Sequence, residues 1–129
     1  MKQHPLQTAG RVRLPYTRRR SDARCVTSLS RLPDVPELNS YDPEFFAGHA
    51  LLLVTDTTAS GSLRPTLLTA GIADGHGTVR LQRPLPARNQ CLTQDMATWL
   101  LWAEVPVSWA DLSWAVANPA LPPERLSLY

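Results

Sequence analysis

The sequence predicts an all-β domain, a mainly antiparallel sandwich or small barrel-like sheet with one short helix, and three observations carry that expectation. Twelve prolines stand against six glycines in 129 residues, and because proline breaks helix interiors, short elements and fixed bends are expected in place of long helices. Residues 50–58 (ALLLVTDTT) pass from a continuous apolar run to alternating polar and β-branched residues, as a strand does when its first half is covered on both faces. Asp74-Gly75, between two extended stretches, is the chain's best hairpin signal. Apolar residues at 43% and charged residues at 19% exclude a disordered acidic tail, a collagen-like repeat and a disulfide-dense miniprotein. No run approaches the roughly 18 apolar residues of a membrane-spanning helix.

The charge is lopsided along the chain. Residues 1–24 hold Lys2 and six arginines against Asp22 alone, a net of +6, and the remainder nets −4 to give the overall +2. With Pro5, Gly10 and Pro15 and no regular apolar period, this stretch is expected to be a disordered basic leader, and residues 25–40 a linker. Arg18, Arg19 and Arg20 could meet nucleic acid through counterion release. The acidic remainder argues against it, so no specific nucleic-acid partner is expected. No apolar stretch of the length an export signal needs precedes Cys25, so no signal or lipid anchor is read there.

The folded domain is expected over residues 41–117, with a proline-containing tail at 118–129. Asp42 ahead of Pro43 is a helix-start signal, and Gly48 stops the turn that follows, giving one short helix between Tyr41 and Gly48. Residues 50–58 make the central strand. Residues 64–73 resume extended character despite Pro65 and Gly71, at an edge or with a bend. The hairpin returns through residues 78–83, where Val79 and Leu81 alternate with polar residues. Residues 84–94 read as a loop. Residues 97–107 fit a strand better than a helix because Pro106 limits any helix. Trp109, Leu112, Trp114 and Val116 continue the apolar pattern as a further strand or short helix.

Chemistry is sparse. Ser60, Ser62, His49, His76 and Asp56 are the residues a serine nucleophile system could draw on, but no Gly-x-Ser-x-Gly elbow presents a serine. His, Cys, Asp and Glu are dispersed, and Asp74 with His76 reads as a solvated turn. No phosphate-cradling glycine loop is present. No metal or cofactor is therefore expected, and no enzyme activity. Cys25 and Cys91 are the only cysteines, too few to imply a disulfide framework. Trp99, Trp102, Trp109 and Trp114 fall within sixteen residues. Core packing is their ordinary role, yet on a strand Trp99 and Trp102 point to opposite faces, which makes each a candidate partner contact. Asp95 precedes an apolar strand, where a carboxylate can cap a turn. Glu104, the carboxylate nearest in sequence, lies roughly 30 Å further along an extended chain, too far for an acid–base pair.

Three pieces of sequence carry a family resemblance: Tyr41-Asp42-Pro43-Glu44-Phe45-Phe46 leading into Ala50-Leu51-Leu52-Leu53-Val54; Ser60-Gly61-Ser62-Leu63-Arg64; and Thr93-Gln94-Asp95-Met96-Ala97-Thr98-Trp99 leading into Glu104-Val105. On these pieces residues 41–107 resemble the PrcB carboxy-terminal-domain family, small bacterial β domains that are often exported and associated with protease complexes. Its members commonly carry a cysteine between the matching threonine and aspartate, where this chain has Gln94, with Cys91 three positions earlier. The resemblance implies a non-enzymatic domain that supports a protease or envelope assembly, in the cell envelope or outside the cell. It names no catalytic residue. More distantly, the glycine-bearing loop and the extended segment after it resemble chagasin-type cysteine protease inhibitors, which would bind through loops Ser60 to Arg64 and Pro86 to Asp95. Ser60, Gly61, Ser62, Arg64, Asp95, Trp99 and Trp102 are the candidate partner contacts under these readings.

Overall fold

The computed structural model describes residues 2–17, 21–58, 63–84 and 96–117. Within them the chain is a β-sandwich of two four-stranded sheets. In chain order the strands are β1 (Lys2–Pro5), β2 (Gly10–Arg13), β3 (Asp22–Val26), β4 (His49–Thr58), β5 (Thr66–Ala73), β6 (His76–Gln82), β7 (Ala97–Pro106) and β8 (Ser113–Val116). One sheet runs β1-β5-β6-β8 and the other β2-β7-β4-β3. All pairings are antiparallel except β6 with β8. No helix among the described residues is long and apolar enough to cross a membrane.

The second sheet is built on β4 and β7, paired from His49↔Pro106 to Thr58↔Ala97. Its inward face puts Ala50, Leu52, Val54, Leu101, Ala103 and Val105 against Leu67 and Val79 of the other sheet. Leu81 packs on the same cluster, so the hairpin and the central strand share one core as the alternation of residues 78–83 predicts. The outward face is also covered. Leu51, Leu53, Leu100 and Trp102 lie under Val26, Val35, Leu38 and Phe46, which is why both strands read as continuous apolar runs.

That cover corrects the expectation of a linker. Residues 25–40 finish β3 and then fold into two 3-10 turns, Leu29–Arg31 and Pro36–Leu38, with Val35 and Leu38 buried. The short helix expected between Tyr41 and Gly48 forms as α1 (Phe45–Gly48). The Phe45 amide donates to Asp42 Oδ1 at 3.0 Å, so the aspartate satisfies an orphan donor of the first turn.

The expected disordered leader is corrected as well. Residues 2–26 supply three strands: β1 pairs with β5, β2 with β7 and β3 with β4. Each is too short to announce itself locally. Each pairs along a strand from a distant part of the chain, and those ladder bonds, with Ala23 and Cys25 against the core, offset the entropy of ordering it. Because β1 takes the edge beside β5, β5 is an inner strand, and it bends at a bulge between Leu67 and Thr69. Asp74 and Gly75 have φ of 52° and 77°, the left-handed pair of a tight hairpin turn. After β7 the chain makes a 3-10 turn (Val107–Asp111) and then β8, so the stretch expected as a further strand or short helix ends in a strand.

Two glycines admit tryptophans. Gly10 sits opposite Trp102 in the β2–β7 ladder, and Gly77 opposite Trp114 in the β6–β8 ladder. In each case a Cβ would run into the indole, so the ring lies flat over the glycine backbone.

Candidate functional site

The strand ends Thr58, Thr66, Gln82 and Ala97 gather at one end of the sandwich, because β4 ends beside the start of β7 and β5 starts beside the end of β6. Ser60, Gly61, Ser62 and Asp95, with the loop Pro86 to Asp95, lie outside the described residues. Arg64 is described and exposed at this end.

Asp56 lies on the inward side of β4, continuing the series Ala50, Leu52, Val54, and is fully buried. A bare carboxylate there would be costly. Arg83, just past β6, meets it with a fork: Nε donates to Oδ2 and Nη2 to Oδ1, both at 2.9 Å. Ser21 Oγ donates to Oδ1 at 2.6 Å. The bidentate geometry fixes the end of β6 onto the end of β4 across the two sheets.

Two further arginines act on backbone carbonyls. Arg11 Nη1 donates to the Pro65 carbonyl at 3.1 Å, with its guanidinium 6.0 Å from the centre of the Trp99 ring. Arg13 Nη2 reaches the Met96 carbonyl at 3.5 Å. Asp56 and Arg83 precede the segments 59–62 and 85–95, and Pro65 and Met96 follow them. The departures into these two segments and the returns from them therefore each have an arginine contact close by. Hydroxyls complete the end: Thr57 and Thr98 share a hydrogen bond of 2.8 Å, and Trp99 Nε1 donates to Thr58 Oγ1 at 3.1 Å.

The structure corrects the two tryptophan assignments. Trp99 is 7% exposed and Trp102 4%, so neither offers surface to a partner. They do point to opposite faces of β7, but the inter-sheet core takes one and the cover formed by residues 27–48 the other.

Nor do His49, Asp56 and His76, the described residues among those tested for nucleophilic chemistry, converge. His49 begins β4, seven residues from Asp56 and so about 23 Å along the strand. His76 sits beside the hairpin turn at the opposite end. Among the described residues no three His, Cys, Asp or Glu side chains come together as a metal site. Cys25 is a free thiol whose pKa burial pushes up to about 11, the reverse of what a reactive thiolate needs. Burial, with the hydrogen bond and charge of Glu104 reinforcing it, raises Tyr41 to about 12, and its hydroxyl donates to Glu104 Oε2 at 2.8 Å.

Arg11, Arg13 and Arg83 are the residues sequence reasoning missed. The available signal was Asp56, one carboxylate on the inward side of an apolar strand, which calls for a buried cation. No known family, curated protein or solved structure matches the chain.

Proposed function

We propose that the chain is a non-enzymatic protein-interaction domain that presents the arginine-clamped end of the sandwich, around Arg64, to a partner protein. The observation that carries this reading is the clamp itself. Three arginines and a buried carboxylate are committed to fixing the strand ends next to two connecting segments, and a surface held rigid in advance loses less entropy on binding.

Following the resemblance of residues 41–107 to the PrcB carboxy-terminal domain, the partner is a protease or envelope assembly, met in the cell envelope or outside the cell. A chagasin-like inhibitor is the second reading. It is favoured by one observation: the strand ends that border the segments 59–62 and 85–95 lie at the same end of the sandwich, as loops entering one protease cleft would require.

A photo-crosslinking side chain at Arg64, with the same group at Asp74 as the opposite-end control, tests the site in cells. One discrete partner captured from position 64 and not from 74 is expected. Equal capture from both positions, or from neither, overturns the assignment. Stoichiometric inhibition of a papain-like protease by the purified chain selects the inhibitor reading over the scaffold.

A further inference from the structure

At the other end of β7 the sheet has an open edge. The β2 ladder stops at Gly10↔Trp102, where the Ala9 amide makes a last bond of 2.8 Å to the Trp102 carbonyl. Beyond it the N-terminal run leaves β7 and crosses to the other sheet, where the Leu6 amide bonds the Leu68 carbonyl at 2.9 Å. β7 continues four residues further, to Pro106, paired on its β4 side. Backbone groups of alternate residues point to the same neighbour. The N–H and C=O of Glu104 and the C=O of Pro106 therefore face the side that β2 has vacated, where no strand is paired among the described residues.

A groove of about 720 Å³ fills the gap, bounded by the link Leu6 to Ala9, by Glu104 to Pro106, and by His4 and Trp109. The His4 and Trp109 rings lie 5.3 Å apart and form one wall. Glu104 is the sole acidic residue in the lining, its carboxylate on the outward face of β7 beside the Tyr41 hydroxyl, and no lysine or arginine is present there.

We infer that this groove binds an extended peptide, which adds a short strand to β7 at Glu104 and places a basic side chain beside the Glu104 carboxylate. The unpaired backbone groups select an extended chain, because only a strand offers donors and acceptors at the matching spacing. The lone carboxylate selects a cation, and the aromatic wall takes an apolar neighbour. A second copy of this chain is disfavoured as occupant. Pro5 and Pro106 flank the opening without N–H groups, so the edge pairs over a few residues and not over the length two sheets need. The inference goes beyond the reading of the Arg64 end and concerns the opposite end of the sandwich.

The test titrates the peptide acetyl-Thr-Val-Lys-Val-Thr-amide into the ¹⁵N-labelled full chain at low salt. Saturable shifts are expected at the amides of Gln7, Thr8, Ala9, Glu104 and Val105 and at the Trp109 indole. The same peptide with its three central amides methylated should bind at least about tenfold more weakly, since it lacks the donors for strand pairing. Replacing its lysine by glutamine should weaken binding to the parent chain roughly fivefold, the scale of an exposed ion pair. That preference should vanish in Glu104→Gln, which keeps an acceptor for the Tyr41 hydroxyl. Equal binding of the methylated peptide, shifts that map to the Arg64 end, or no saturable shift each overturn the inference. So would Glu104 signals that move with protein concentration alone, because the edge would then belong to a second copy.

Discussion

Replacing Arg83 by methionine keeps much of its aliphatic packing and removes both donors from a carboxylate with no exposure to water. Ser21 alone would still bond Asp56. Charge-assisted bonds contribute about 1.5 to 3 kcal/mol each. Arg83 is 25% exposed, so water screens part of that, and the lower values apply. Arg83→Met is therefore expected to destabilise the fold by about 3 kcal/mol, the low end for breaking a buried pair. Against a total of roughly 5 to 15 kcal/mol for a small domain, this is a large loss. Adding Asp56→Leu should bring stability back to within about 1 kcal/mol of the parent, because the cost lies in the unpaired charge and not in the missing pair. Urea unfolding followed by tryptophan fluorescence measures all three proteins, with m values checked for equality. A loss below about 0.5 kcal/mol for Arg83→Met would put it in the range of ordinary surface changes and refute the clamp. So would a double variant as unstable as the sum of its two single changes.

Three other outcomes are expected. Gly10→Ala and Gly77→Ala should each cost about 1 to 3 kcal/mol by overpacking against Trp102 and Trp114, while Gly48→Ala, whose Cβ meets nothing within 4 Å, should stay within about 0.5 kcal/mol in the same urea assay. A chain beginning at Asn39 should lose its cooperative thermal transition, since it lacks β1, β2 and β3; a retained transition would show that the N-terminal strands are accessories. In a Cys91→Ser background, burial holds the Cys25 thiol neutral in the fold up to about pH 11 against an ordinary 9.0. The raised value favours the fold fully below pH 9, and stability is lost as the pH rises from 9 to about 11. Cys25→Ala should show a shallower decline over that window, and equal slopes would place the thiol in water.

The inner strands of both sheets were largely legible because their information is local. The apolar run 50–54, the alternation of Val79 and Leu81 and the Asp74-Gly75 turn each encode burial or backbone geometry within a few residues. The structure has β4, β5, β6 and β7 at those places, and α1 follows Asp42-Pro43. The tryptophans were half legible. Alternation put Trp99 and Trp102 on opposite faces, but their burial depends on a cover supplied by residues 27–48, whose scattered Val35, Leu38 and Phe46 have no period of their own.

What only the tertiary structure decided is the fate of the basic N-terminal run. Lys2 to Pro5, Gly10 to Arg13 and Asp22 to Val26 are four or five residues each, too short for a hydrophobic period, and their arginines read as solvated charge. Their partners lie far away in sequence: Arg11 bonds a carbonyl 54 residues on, and Arg13 one 83 residues on. Edge strands draw their stability from ladder bonds to strands that other parts of the chain supply, and a guanidinium becomes structural once the fold brings a carbonyl to it. Composition therefore determined that the chain would build a β core, while the closing of that core by its own charged terminus rested on contacts that no local pattern encodes.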